Sequence, residues 1–139
     1  MQQHELYESP LVARNASRPM SRLFGANHRI TTWRELWIAL AEAQRTAGLK
    51  ISARQIADLK RGLPKINFPA AARYEKKTRH DVMAHLHAFA DEAPSARPIL
   101  HLGATSAFIV DNADLIIMRQ ALQRIRDWLV NVIDATARL

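Results

Sequence analysis

Two short stretches of this sequence hold the side chains whose types and spacing could do chemistry. In TRHDVMAHLHAF, residues 78–89, Arg79, His80 and Asp81 stand side by side, and Asp81 precedes His85 by one helical turn. Histidine changes charge near neutrality and a carboxylate one turn away can orient or charge it, so this group suits proton transfer or anion recognition. In HLGATS, residues 101–106, Thr105 or Ser106 can cap a helix, and free backbone N–H groups beside hydroxyls make an anion pocket. Each stretch also has a plainer reading, a solvated polar face for the first and ordinary N-capping for the second. A metal site is not indicated, because HExxH is absent and one Asp/His pair offers too few ligands. Arg14 is a third candidate, either an anion contact or an exposed loop arginine.

The bulk composition narrows the chemistry further. The chain has 139 residues, 48% of them apolar, which is enough for one domain with its own core. The absence of cysteine excludes disulfides, thiolate zinc sites and a cysteine nucleophile. A net charge of +7, carried mostly by arginine, suits planar recognition of phosphate or carboxylate. The surplus is equally explained by a solvated surface or by acidic residues elsewhere in a longer protein. The arginines are scattered and accompany no nucleic-acid-binding motif. With no secretory leader and no apolar run near the roughly 18 residues of a membrane span, a soluble, cytoplasmic protein is expected.

The elements that must position these groups read as helices throughout. Residues 1–27 form an irregular leader, interrupted by Ser9-Pro10 and Arg18-Pro19, with a short turn over 20–24. From Thr32, Trp33, Leu36, Trp37, Leu40, Ala41 and Ala47 recur at helical intervals; Thr32 and Glu35 have capping-box spacing and Gly48 is a stop. A second helix begins at Ser52, with Gln55 at the box position and Ile51 and Ile56 as a hydrophobic staple, and ends near Gly62. A third covers 68–77. The next runs over 79–92 and buries Val82, Met83, Leu86, Phe89, Ala90 and Ala93, leaving His80, Ala84, His87 and Asp91 on the opposite side. Pro94 and Pro98 bracket a loop buried through Ile99, Leu100 and Leu102. In the last helix Phe108, Leu115, Met118, Leu122, Ile125, Leu129 and Val132 form the seam of a bundle helix. Asp111 falls in that seam and calls for a partner or a polar cavity. The helical pattern still runs at Leu139, so an N-terminal fragment of a longer protein is expected.

The motifs SPLVARNAS, WRELWIALAEAQ, TRHDVMAHLHAF, HLGATS and DNADL, in this order, resemble the N-terminal third of the adenylosuccinate lyases of the fumarase/aspartase superfamily. The resemblance implies an all-α fold: a small N-terminal helical domain, residues 1–104, followed by the first long helix of a central bundle, residues 105–139. It implies a homotetramer, no metal or organic cofactor, and no nucleic-acid or membrane partner. The implied activity is elimination of fumarate from adenylosuccinate, giving AMP, and from the succinylated aminoimidazole carboxamide ribotide of purine biosynthesis. By the same resemblance Arg14 contacts the nucleotide phosphate, Arg79, His80 and Asp81 form a substrate wall with His80 bonding the substrate, and Thr105 and Ser106 hold the succinyl carboxylate. Asn15 stands where the family pattern has tyrosine, which removes a phenolic contact. The family's general acid and general base lie further along its chain, so 1–139 alone is expected to be inactive. A different lyase or cycloisomerase of the superfamily, or a basic helical nucleic-acid-binding module, are the competing expectations.

Overall fold

The computed structural model describes residues 9–139, and they are all-α, without a strand among them. The helices are α1 (Pro10–Asn15), α2 (Arg18–Leu23), α3 (Ala26–Thr46), α4 (Ala53–Gly62), α5 (Phe68–Thr78), α6 (Asp81–Glu92) and α7 (Ser106–Ala137), with a 3-10 helix over Pro94–Ile99. None is long and apolar enough to cross a membrane. Residues 1–8 of the expected leader lie outside the described residues. The remainder of the leader is not irregular, because each proline sits in the first turn of a short helix, where its missing N–H costs nothing. Ser17 caps α2 by accepting from the Met20 amide.

The long helix α3 is the organising element. It begins at Ala26, well before Thr32, with Gly25 as N-cap. Thr32 is an interior residue whose hydroxyl donates to the His28 carbonyl, so the Thr32/Glu35 spacing is not a capping box. Ile30 extends the apolar stripe upstream and explains the longer helix. Trp33 and Trp37 are almost wholly buried, edge to face with ring centres 6.4 Å apart, and Trp37 also meets Phe89 of α6 at 6.0 Å. These aromatic contacts, with Leu59 of α4 and Ile109 of α7, form the core. Helix α3 ends before Gly48, whose φ of +96° is open to glycine at little cost.

Helix α4 follows the expected pattern. Ser52 and Gln55 form a reciprocal capping box, and Ile51 and Ile56 are both buried. Its carboxylate Asp58 accepts from the Ser95 amide at 3.2 Å and hydroxyl at 2.7 Å, which fastens the 3-10 helix to α4. The Ser95 hydrogen bond holds the Asp58 carboxyl below the usual carboxylate range, against the opposing effect of burial.

Helices α5 and α6 pack as a hairpin, and here the expected polar face needs correcting. Asp91 is exposed and His87 half-buried as expected of that face, but Ala84 is buried, and beside it Ala88 packs against Ala70 and Ala71 of α5. Helix α6 also starts later than residue 79, as described below. The loop leading to α7 buries Ile99 and Leu100 but leaves Leu102 exposed.

Helix α7 uses two faces. Ile109, Ala113, Ile117 and Ala121 are buried, the last two with Leu23 of α2. The expected seam residues Phe108, Leu115, Met118, Leu122, Ile125, Leu129 and Val132 are all exposed. Asp111 lies in solvent with them, so it needs no partner or cavity within the described residues.

A histidine pair between two helix starts

The residues that could act chemically gather where α5 hands over to α6 and where the 3-10 helix hands over to α7. Thr78 ends α5, and Arg79 takes the left-handed conformation, φ 51° and ψ 35°, which stops the helix and turns the chain. Outside glycine and asparagine that conformation carries a steric cost, of about 1 kcal/mol or more. His80 follows as the extended N-cap of α6, and its amide donates to the Thr78 hydroxyl at 3.3 Å. Arg79 and His80 therefore precede α6 instead of lying on it. Asp81 opens α6, accepts from the Val82 amide at 2.7 Å, and holds its carboxylate 3.5 Å from Nδ1 of His80.

The expected Asp81–His85 pairing is replaced by this Asp81–His80 neighbour pair. His85 turns instead between two aromatic rings, edge-on to Trp33 at 5.8 Å and to Phe68 at 5.9 Å. Burial pushes its imidazole below the ordinary range, and the Arg34 guanidinium adds to the effect more than Asp81 opposes it. The folded chain thus takes up this proton less readily than the unfolded one. Stability is full above the ordinary imidazole pKa, about 6.5, and declines as pH falls through it. A urea midpoint lower at about pH 5.5 than at about pH 7.5 is expected, with part of the drop removed by His85→Gln. An unchanged midpoint across that window would contradict the assignment.

The sequence pattern does not single out His101, the polar member of the turn Ile99–Leu102, of which Ile99 and Leu100 are buried. It too has a positive φ, 63°. Its Nδ1 accepts from the Trp37 indole N–H at 3.0 Å, with the rings perpendicular and 6.1 Å apart. An acceptor Nδ1 places the proton of the neutral ring on Nε2, so the core tryptophan sets the tautomer and leaves an N–H donor on the other side. Burial pushes the His101 imidazole below its ordinary range, and His80 lowers it further through space. The packing of α6 against α7 brings the two motifs into one neighbourhood. The turn is pinned by Gln44 of α3, which donates to the Leu102 carbonyl at 2.7 Å. The signal in the sequence was a single histidine inside an otherwise apolar turn.

Thr105 is the N-cap of α7, its hydroxyl oxygen accepting from the Phe108 amide at 3.2 Å, and half-buried Ser106 is the first helical residue. The Thr105 O–H remains a donor while its oxygen caps the helix, so capping and anion binding are compatible here. Arg14 and Asn15 are not joined to this group. They lie on α1, which buries none of its residues.

No protein-family model matches the chain. Individual proteins do. It is 48% identical over 138 residues to an adenylosuccinate lyase of Schizosaccharomyces pombe, covering 96% of this chain. It is 44% identical over 138 residues to one of Schistosoma mansoni and 42% identical over 141 residues to one of Saccharomyces cerevisiae, each covering 99% of this chain. This chain is homologous to adenylosuccinate lyases. It spans 28–29% of the length of these curated relatives. With 96–99% of the chain covered, the aligned region takes in both segments of the histidine pair.

Proposed function

We propose that the chain is the N-terminal, substrate-binding part of an adenylosuccinate lyase, which eliminates fumarate from adenylosuccinate to give AMP and acts likewise on the related succinylated ribotide of purine biosynthesis. The observation that carries this reading is 42–48% identity to adenylosuccinate lyases over nearly the whole chain. Residues 1–104 serve as the small helical domain and 105–139 as the start of the bundle.

The chemistry asks for groups of these types. Elimination removes a proton beside a carboxylate, spreads negative charge onto that carboxylate and protonates the departing nitrogen. On this reading His80, oriented by Asp81, and the Nε2–H of His101 hydrogen-bond an anionic or polar substrate group. Thr105 and Ser106 offer hydroxyl and backbone N–H donors at the start of α7 to the succinyl carboxylate. Arg79 completes that wall, while Arg14, beside Asn15, supplies a guanidinium for the phosphate once α1 is docked. The protein works as a homotetramer in the cytoplasm on this reading, with the exposed face of α7 as its apolar contact.

The residues described bind and orient; none forms a complete acid–base set. Purified 1–139 is expected to bind adenylosuccinate by calorimetry, to lose affinity about tenfold or more on His80→Ala, and to release no fumarate. Fumarate release at the rate of a whole lyase, or affinity indifferent to His80→Ala, would overturn the assignment.

A further inference from the structure

A cleft of about 1020 Å³ opens where α2, the first turns of α3 and the middle of α7 meet, lined among others by Arg18, Arg22, Asn27, His28 and Arg124. No aspartate or glutamate lines it. Elsewhere on the surface Arg61, Arg97, Arg126 and Arg138 each lie against an aspartate, whereas, among the described residues, exposed arginines such as Arg45, Arg54 and Arg73 stand singly. Among the described residues Arg18, Arg22 and Arg124 have no such partner. Three guanidinium groups collected without a counter-charge raise the local positive potential, an arrangement that a bound anion relieves. Arg18 and Arg22 lie one turn apart on α2, roughly 6 Å along the axis, and the third cation comes from another helix. One phosphate group can be gripped by the first two in the bidentate manner of arginine; a second or third phosphate is needed to reach Arg124 as well.

His28 fixes one wall. Its Nε2 is 2.8 Å from Oε1 of Gln120, and because an amide oxygen only accepts, the ring donates there and is tied to α7. The cleft thus spans helices that are already locked together, which limits the ordering cost of binding. Its volume is at the upper end of the roughly 300–1,000 Å³ of small-molecule sites. It is also separate from the histidine pair: Arg124 stands roughly 28 Å beyond Thr105 along α7, at about 1.5 Å per residue.

We infer that this cleft is a second anion site, one that takes the polyphosphate group of a small molecule of the nucleoside di- or triphosphate class. The inference does not depend on the reading of His80 and Thr105 given above. It is tested by calorimetry on the 139-residue chain at low salt, with inorganic tripolyphosphate, ATP and adenylosuccinate as separate titrants. Tripolyphosphate and ATP should both bind, and Arg22→Glu and Arg124→Glu should each weaken them about tenfold or more. Arg54→Glu, on the exposed surface of α4, should change either by less than about threefold, and His80→Ala should leave both untouched. Tighter binding of ATP than of tripolyphosphate would add a nucleoside contact; equal binding would assign recognition to the phosphates alone. Circular dichroism checks the fold, and Arg124→Gln replaces Arg124→Glu if the latter unfolds. No binding of tripolyphosphate, an equal loss with Arg54→Glu, or a loss with His80→Ala would overturn the inference. A loss of adenylosuccinate binding alone would bear on the histidine pair and leave the cleft standing.

Discussion

Arg34→Ala is expected to lower the unfolding free energy by about 3–5 kcal/mol, a large part of the roughly 5–15 kcal/mol that holds a domain together. Arg34 sits on α3 in the core stripe and is completely buried. Its Nη1 donates to the Gly62 carbonyl at 2.7 Å and to the Leu63 carbonyl at 3.2 Å, closing the C-terminal end of α4. Its guanidinium carbon lies 4.4 Å from the centre of the Phe89 ring, so the cation also faces the π surface of α6. Truncation strands the buried Gly62 carbonyl, removes a donor from the half-buried Leu63 carbonyl and leaves a cavity between three helices. The charge itself carries a cost, since burial lowers its pKa to about 10, an effect that Glu92 partly opposes. Arg34→Met, which keeps the volume and removes the charge, should therefore lose less than Arg34→Ala. Arg34→Lys keeps a charge but loses the planar fork, so it cannot serve both carbonyls and the ring equally well. Urea unfolding of the three variants gives the order, and a cost below about 1 kcal/mol for Arg34→Ala would show that the carbonyls find other donors.

This arginine also shows where reading the sequence ran out. Helical period placed Trp33, Trp37, Phe89 and the α4 staple inside, because apolar residues at that spacing must be covered. The same period puts Arg34 one turn from Ile30 and one turn from Ile38, yet charge alone argues for solvent. Only the open C-terminus of α4, brought alongside by tertiary packing, makes a buried guanidinium affordable. His101 was hidden for a related reason. Its role rests on a backbone φ of 63° and on an indole from α3 far away in sequence, and neither follows from local pattern. Helix starts are ambiguous in the sequence where a local rule has two outcomes. Thr32 can cap a helix or donate back to a carbonyl within one, and the buried Ile30 decides for the second. Residues 79–81 satisfy a helical pattern, but the left-handed Arg79 separates α5 from α6 and thereby sets His80 beside Asp81.

Glutamate at both Leu122 and Leu129 is expected to raise the dissociation constant of self-association by about a hundredfold or more while leaving the helical fold intact. The heptad spacing on α7 was legible in the sequence, but no other part of the described chain covers it. Leu115, Met118, Leu122, Ile125, Leu129 and Val132 are between 42% and 65% exposed along one continuous stripe. Full burial of such a side chain stabilises by about 1.5–3 kcal/mol, so covering the exposed half of six contributes several kcal/mol per copy before the cost of association. A stripe at this period fits a like stripe by knobs-into-holes packing, which is the contact proposed for the homotetramer. Within the chain, α7 is held by the offset face of Ile109, Ala113, Ile117 and Ala121, so charges on the outer stripe do not disturb the core. Sedimentation should show an oligomer for the unaltered chain and a monomer for the double variant at the same concentration, with matching helical circular dichroism. A monomeric unaltered chain would remove the stripe as an assembly face, and an oligomer indifferent to both glutamates would place that face elsewhere on the molecule.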